Sequence, residues 1–434
     1  MISCQKNRQG AVRPWVSLAT FRVFDQPEET NFTMHKPSRV AATRRRPSVA
    51  GALAAAALAF GATVATAQQV QGVTADEIRI GVHLDLSGPI TFWGVPMRNG
   101  HQMRVDELNE KGGVHGRKIR LFIEDNGYDP KKGVLASQKL IQQDKVFALA
   151  GVLGTPIVMA TMQTALDAGV PHIFPGSNAR GMFEPYHKLK FSMAAPYDGQ
   201  VKAGLKWVAA AKGTKRMGII YQDDDFGKEL RDAWVEQAKA LKIEVAAEAS
   251  YKRGDSNFSS QVARMKQANV DMIGIGTVVR ETVGVATEAK KLGWEVPMLA
   301  SAAACNAAVP NLGKENVEGL YIVCQYLPFD YATESAPVKD WMDRYKKRFN
   351  TDADASAAIS YDIMEMTIQG LQAAGRDLTV DKFIAGLESI KGWQDIFGAP
   401  PQSYGPNQRL GTKAAVLTQI TGGKFKRLTG PITD

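Results

Sequence analysis

Short apolar, β-branched runs alternate with amphipathic helical stretches along the chain from residue 78 onward. This alternation predicts parallel sheets covered by helices, because each helix carries the chain back to start a new parallel strand. The predicted strands are residues 78–85, 119–124, 147–150, 172–174, 217–221, 270–276, 298–300 and 319–323. Eight strands are more than one compact sheet of five or six usually holds.

The strands fall into two sets that separate near residues 194–198. No low-complexity linker divides them, so several chain crossings rather than one tether should join the two halves. Residues 334–390 read as mostly helical and should pack back onto the sheets. We therefore predict an α/β fold with two doubly wound parallel-sheet lobes and a multi-strand hinge.

The formal net charge of +9 would be typical of a nucleic-acid-binding protein if it were clustered on the folded body. Residues 1–67 hold nine Lys or Arg against three acidic residues, and the remainder holds 44 against 41. Binding to a polyanion needs clustered positive charge, which this nearly neutral body lacks. We expect no nucleic-acid partner.

The basic excess precedes a sequence typical of an export signal. Three arginines at residues 44–46 are followed by an apolar run over residues 49–64 and by Ala65-Thr66-Ala67, which suits signal peptidase. We predict a signal peptide over residues 34–67, cleaved after Ala67, and interpret residues 1–33 as an over-extended N-terminus. The alternative is a membrane anchor, but the apolar run is short for one.

The sequence offers little catalytic chemistry. The six histidines are scattered without ligand spacing, and neither a nucleophile elbow nor a phosphate-binding loop is present. We predict no enzyme activity, no metal and no cofactor. Asp223, Asp224 and Asp225 could act as general acids, although loop and helix-cap roles are more common for such residues. Cys305 and Cys324 could form a disulfide or remain as buried thiols.

The loop after the strand at residues 147–150 suits an anion. Thr155 is a natural N-cap and Pro156 a natural first helical residue, so the free amides of this turn could bind a carboxylate. The alternative is a cap that satisfies itself. Loops after parallel strands are where such sheets bind ligands.

Seven short motifs occur in order along the chain, and together they resemble one known family. They are IGV at 80–82 with LSGP at 86–89, DELN at 106–109 with KGGV at 111–114, EDNGYDP at 124–130, AGVP at 168–171, DFG at 225–227, GDSNF at 254–258 and EGL at 318–320. The chain is similar over residues 76–429 to the leucine/isoleucine/valine-binding family of ABC transporter substrate-binding proteins, which have the type I periplasmic binding fold.

The resemblance implies a periplasmic, monomeric protein that closes two lobes on a small solute and delivers it to permease subunits in the inner membrane. It implies one lobe from residues 76–195 and 327–395, and another from residues 196–326 and 396–434. A ligand-sensing module of the receptor type is the alternative function. The implied solute is a small carboxylate or an amino acid.

The resemblance also implies which residues face the solute, with Trp93 as an aromatic wall. Amino-acid-binding members commonly place a Glu against the ligand ammonium where this chain has Ala302, and a Tyr where it has Val278. We therefore expect an apolar or aromatic carboxylate that needs no α-amino group. In the rival hypothesis, one of the three aspartates at 223–225 pairs with the ammonium of a branched-chain or other amino acid. The implied ligand-binding residues are Trp93, Thr155, Gly176, Ser177, Asn178, Phe226, Val278 and Ala302.

Overall fold

Apolar, β-branched runs form most of the twelve strands in residues 70–434, the part of the chain that the computed structural model describes. The strands form two sheets. Strands that are buried on both faces read as continuous apolar runs, and Met272–Gly276 is buried at every position. The α/β class with two parallel-sheet lobes is confirmed. The predicted leader, residues 34–67, and residues 1–33 lie outside the described residues.

The first sheet has five parallel strands in the order β2-β1-β3-β4-β5. The chain moves outward from β1 in both directions, so the loops after β1 and β3 leave a crevice between them at the carboxyl edge. Its strands are β1 Glu77–Leu84, β2 Lys118–Asp125, β3 Ala148–Ala150, β4 His172–Ile173 and β5 Lys190–Phe191.

The second sheet has seven strands in the order β12-β11-β10-β9-β8-β6-β7. Five strands are parallel, β11 pairs antiparallel with β10, and β12 pairs antiparallel with β11 at the edge of the sheet. Its strands are β6 Arg216–Gln222, β7 Glu244–Tyr251, β8 Met272–Gly276, β9 Met298–Ala300, β10 Tyr321–Cys324, β11 Val416–Thr421 and β12 Lys424–Arg427.

Helices cover both sheets. Those of the first lobe are α1 Thr91–Glu110, α2 Pro130–Gln138, α3 Thr155–Asp167, α9 Ala336–Phe349, α10 Ala355–Ala374 and α11 Val380–Glu388. Those of the second are α4 Tyr197–Lys212, α5 Asp225–Leu241, α6 Ser259–Gln267, α7 Val279–Lys291 and α8 Ala308–Gly313. The helical character predicted for residues 334–390 is confirmed by α9, α10 and α11. No helix in residues 70–434 is long and apolar enough to span a membrane.

Helices α1 and α10 pack closely in the first lobe because the contact residues are small. A Cβ atom added at Gly100 would lie 2.1 Å from the carbonyl oxygen of Ala357. The same atom would lie 2.1 Å from Ser360 Oγ, so only glycine permits this approach of the two helices. Helix α1 carries Trp93 near its start, so this packing also fixes a wall of the cleft described below.

The chain passes between the two sheets three times, after β5, after β10 and after α11. The crossings lie side by side. The Gln325 side chain donates from Nε2 to the carbonyl oxygen of Met193 at 3.1 Å, which joins the second crossing to the first. Ser192 donates to Arg409 O and accepts from Gly411 N, both at 2.8 Å, which joins the first crossing to the third.

The chain leaves the first lobe for the third crossing later in the sequence than predicted. Phe397 packs on Trp341 with ring centroids 4.7 Å apart, and Tyr404 packs on Phe174 and Phe191 with centroids 5.6 Å away. Residues 396–411 therefore contact first-lobe aromatic side chains, although the sequence analysis assigned them to the second lobe. The lobe boundaries stay a prediction, and these contacts argue for a crossing after residue 411.

Cys305 and Cys324 form a disulfide, which answers the question that the sequence left open. Their Cα atoms lie 5.6 Å apart, within the normal range for a bridge. Cys324 ends β10, and Cys305 follows the short helical turn Ala302–Ala304 after β9. The bond therefore ties the loop after β9 to the neighbouring strand.

We predict that loss of this disulfide destabilises the protein by about 3 kcal/mol, because the bridge closes a loop between residues 19 apart in sequence. Urea unfolding of the double variant Cys305→Ala/Cys324→Ala measures this effect. Wild-type protein in reducing buffer should fall to the stability of the variant, whose own stability should not respond to reductant. Equal stability of the oxidised and reduced wild type would contradict the prediction.

Candidate functional site

A cavity, partly open to solvent, lies where the carboxyl ends of the two sheets face each other. Twenty-one residues from both sides of the cleft line it. Loops that follow β1 to β5 line one side, and loops that follow β6, β8, β9 and β10 line the other. The site therefore lies where open parallel sheets bind ligands, with two such edges facing each other.

Four of the five residues predicted on the first-lobe side line this cavity: Trp93, Thr155, Gly176 and Asn178. The fifth, Ser177, is buried beneath it, and its hydroxyl lies 2.7 Å from that of Thr155. All three residues predicted on the second-lobe side, Phe226, Val278 and Ala302, line the cavity as well. The structure thus brings together the side chains that the sequence predicted from separate loops.

Thr155 is not the N-cap of α3, which corrects the sequence analysis. The N-cap is Gly154 at φ 102°, and no side chain caps the helix. A side chain at this φ would be strained, and an added Cβ would lie 2.8 Å from the Tyr128 ring. The Thr155 hydroxyl is therefore free of capping and meets Ser177 instead.

The first-lobe end of the cavity offers donors to an anion. The backbone N–H groups of Thr155 and Ser177 have no hydrogen-bond partner within residues 70–434. Thr155 also begins α3, whose N-terminus carries a partial positive charge. Free amides at a helix N-terminus are a common binding site for carboxylates.

Contacts between the two sides show that the lobes are closed around the cavity. The Trp93 indole donates from Nε1 to the carbonyl oxygen of Ala303 at 3.2 Å. Asn306 donates from Nδ2 to Phe92 O at 3.2 Å, and Arg253 donates to Tyr128 O at 3.3 Å. Each contact joins an element of one sheet layer to an element of the other, so opening the cleft must break all three.

Residues 77–424 match the family model described as periplasmic binding protein. The chain belongs to this family. Its relatives include Leu/Ile/Val-binding proteins, which confirms the resemblance drawn from the seven motifs. The match covers both sheets and every loop that lines the cavity.

Similar proteins agree on the fold and differ in ligand. The chain is 24% identical over 349 residues to the Leu/Ile/Val-binding protein BraC3 of Rhizobium johnstonii, covering 80% of this chain and 93% of that protein. A fatty acid ABC transporter substrate-binding protein from Thermomonospora curvata superimposes with a TM-score of 0.76 at 24% identity, covering 85% and 95%. A branched-chain amino acid ABC transporter structure from Thermus thermophilus with bound valine gives 0.76 at 15% identity, covering 83% and 98%.

The cavity of this periplasmic binding protein has no charged wall within the described part of the chain. None of the lining residues from the described range 70–434 is Asp, Glu, Lys, Arg or His. The polar lining side chains are Thr155, Asn178 and Gln325 with the tyrosines 128, 197 and 326. A ligand ammonium would therefore find no carboxylate counter-charge in this closed form.

The three aspartates of the rival hypothesis are used elsewhere. Asp223 pairs with Lys228 at 3.0 Å. Asp224 caps α5 by accepting from the backbone of Phe226 at 3.1 Å, and it accepts from Gln222 Nε2 at 2.6 Å. Asp225 is exposed in the first turn of α5. None of them lines the cavity.

The loop that carries Ala302 presents no free amide to a ligand. Ala302 donates its backbone N–H to Gln200 Oε1 at 3.0 Å, and Ala303 donates to Ser301 Oγ at 3.3 Å. The Ala303 carbonyl already accepts from Trp93. Because these groups are satisfied internally, the loop offers mainly methyl groups to the cavity.

Several lining residues were not predicted from the sequence. Gln325 and Tyr326 directly follow β10, and Tyr128 follows β2 in the EDNGYDP motif. The rule that ligands bind beyond the carboxyl ends of parallel strands would have found them if it had been applied to every predicted strand. Met97, Met193 and Ile359 carry no such signal, since apolar residues of these types are usually core.

A buried carboxyl group lies behind the Val278 wall. Glu281 is in the first turn of α7, is 2% exposed, and has no partner for Oε2 within the described residues. Burial raises the pKa of Glu281 from its ordinary 4.5 to about 7. The folded protein therefore holds a proton that the unfolded chain has lost between these pH values, and the free energy of unfolding falls as the pH rises from 4.5 to 7.

We predict that Glu281→Gln raises the free energy of unfolding at pH 8 by about 1 to 3 kcal/mol, with little effect at pH 4.5, because the amide carries no buried charge. Urea unfolding at the two pH values measures the difference. The matched control is Glu288→Gln on the same helix, whose carboxylate pairs with Lys291 at 2.7 Å. A gain that is equal at both pH values, or a similar gain in the control, would argue against a buried charge at Glu281.

Proposed function

We propose that this protein is the periplasmic substrate-binding component of an ABC importer and that it captures a small apolar or aromatic carboxylate without requiring an α-amino group. The observation that supports this proposal is the cavity between the closed lobes. Among residues 70–434 it has no charged side chain in its lining, and it has free amides at one end. The relatives support the general role, since they include binding proteins for amino acids and for fatty acids.

The charge balance of the cavity favours an acid over an amino acid. Burying an ammonium without a counter-charge is penalised by several kcal/mol, so a binder of amino acids must supply a carboxylate. Ala302 supplies none, and the three nearby aspartates are engaged in capping and ion pairing or are exposed. A carboxylate, in contrast, meets the free N–H groups of Thr155 and Ser177 at the start of α3.

The remainder of the ligand would lie against apolar side chains. Phe226 is 2% exposed, and its ring meets that of Tyr197 edge-on with centroids 5.2 Å apart. Trp93, Val278 and the methyl group of Ala302 complete this surface. Burial of an alkyl chain or aromatic ring here supplies the apolar part of the binding free energy.

Lobe closure links capture to delivery. The contacts of Trp93 with Ala303 and of Asn306 with Phe92 exist only when the two sides meet. A ligand that bridges the lobes stabilises this closed form, which the permease subunits of an importer can distinguish from the open one. We propose that the protein acts as a monomer and carries out no catalysis.

Calorimetry with paired ligands tests the proposal. We expect 3-phenylpropionate to bind more tightly than phenylalanine, and 4-methylpentanoate more tightly than leucine, by about 30-fold or more, since an unpaired ammonium costs at least about 2 kcal/mol. The matched variant Ala302→Glu should reverse the order by supplying the counter-charge. Binding of the amino acids alone to the wild type would refute the ligand class and leave the transport role intact.

We predict that Trp93→Ala weakens ligand binding by about 1 to 3 kcal/mol, because it removes both an apolar wall and a contact between the lobes. Trp93→Phe keeps an aromatic wall and loses only the hydrogen bond to Ala303 O, so it should cost about 0.5 to 1.5 kcal/mol. Titration calorimetry measures both, with circular dichroism as the check on folding. Unchanged affinity in Trp93→Ala would remove Trp93 from the site.

A further inference from the structure

Gln325 is a nearly buried polar side chain in the wall of the cavity. It directly follows β10 on the second crossing and is 7% exposed. Its neighbours along this wall are Met193 of the first crossing and Tyr326. This is the hinge side of the cleft. Strand β5, which leads into the first crossing, is separated in the sheet by β4 from β3, which leads into α3.

The orientation of the Gln325 amide is fixed by its single partner. Its Nε2 donates to the carbonyl oxygen of Met193 at 3.1 Å, and a carbonyl can only accept. The side-chain oxygen Oε1 must therefore point the other way. It accepts no hydrogen bond from residues 70–434, and Gln325 lines the cavity, so Oε1 is an acceptor without a protein partner. A ligand that covers this acceptor without donating to it removes its hydrogen bond to water and binds less tightly for that reason.

Tyr326, beside Gln325, also uses its donor on a protein partner. Its hydroxyl donates to Asp362 Oδ2 at 2.8 Å, so the phenol oxygen is left only as an acceptor. Asp395 on the third crossing lies close to both groups and accepts from the backbone of Phe397 at 2.8 Å and of Ala399 at 3.1 Å. The hinge wall thus offers acceptors, whereas the Thr155 loop offers donors.

Donors at the Thr155 loop and acceptors at the hinge wall restrict which polar groups a ligand can place at each end. A carboxylate belongs at the Thr155 end, and the group that meets Gln325 must donate a hydrogen bond. A second carboxylate has no proton to give, and an ammonium would require a charge that the cavity lacks. A hydroxyl group donates to a neutral amide oxygen without either penalty.

Building on the proposed function, we propose that Gln325 Oε1 selects a hydroxyl group on the ligand, so that the substrates are apolar or aromatic monocarboxylates with a hydroxyl group at the end remote from the carboxylate. Gln325 is thus a specificity-determining residue. An analogue without the hydroxyl would leave Oε1 buried and unpaired, which is why the site would discriminate against it.

Calorimetry with matched acids tests this inference on the purified protein. The pairs are benzoate, phenylacetate and 3-phenylpropionate, each compared with its 4-hydroxy and 4-methoxy forms, so that three distances between the two polar ends are sampled. We expect at least one 4-hydroxy acid to bind about tenfold or more tightly than both its parent and its 4-methoxy form, because a methoxy group cannot donate.

Two variants at the same position separate the acceptor from the rest of the side chain. Gln325→Met and Gln325→Glu both lose the hydrogen bond to Met193 O, but only Gln325→Glu keeps an acceptor oxygen. The hydroxyl preference should disappear in Gln325→Met and persist in Gln325→Glu, whose added charge lowers the affinity for every acid.

The outcomes distinguish a failure of the proposed role of Gln325 from a failure of carboxylate capture. If the acids bind but no hydroxyl form is preferred, or if the preference survives in Gln325→Met, the role of Gln325 is refuted and carboxylate capture stands. If none of the acids binds to the wild type, carboxylate capture and the role of Gln325 fall together. The comparison of hydroxy with methoxy acids on the wild type decides the matter even where a variant does not fold.

Discussion

The binding site depends on one constraint, which is that all strands of a parallel sheet end at the same edge. In this protein two such edges face each other, and the loops that leave them form most of the cavity, with helices α1 and α10 adding Trp93, Met97 and Ile359. The sheets are held in this arrangement by three neighbouring crossings, which are joined through Met193 to Gln325 and through Ser192 to Arg409 and Gly411. A small rotation at these crossings moves every lining residue of one side relative to the other.

Among the described residues, no charged side chain lines the cavity. Charged side chains close to it are engaged in ion pairs and caps, as for Asp224, or are buried behind the wall, as for Glu281. An anion can still bind, because the first turn of α3 offers N–H groups whose partial charge needs no buried counter-ion. The structure therefore accommodates a carboxylate without placing an ionised side chain in a dry cleft, which would be unfavourable whenever the ligand is absent.

The sequence predicted the architecture well because parallel strands that are buried on both faces are long apolar runs. Four strands were missed, β5, β7, β11 and β12, and the first and last of these lack this signal. Strand β5 has two residues and includes Lys190, and the charged edge strand β12 reads Lys-Phe-Lys-Arg. Lysines on an edge strand protect it from pairing with other chains. They also interrupt the apolar run by which a strand is predicted from sequence.

The candidate site was predicted in part, and the missing part has a physical reason. Motifs and loop position brought seven of the eight predicted residues to the cavity, with Ser177 one layer beneath. The role of Gln325 could not be read from the sequence, because it depends on which way an amide points. That direction is set by a carbonyl group 132 positions away in the chain.

The disulfide determines in which redox environment the ligand-binding site is complete. Cys305 lines the cavity, so the covalent bond to Cys324 is part of the wall that meets the ligand. Such bonds persist in oxidising compartments and are rare in the cytosol, where thiols are kept reduced. A copy of the chain that remained inside the cell would carry two thiols at this position and a loop after β9 that is less constrained. The complete ligand-binding surface therefore depends on an oxidising environment.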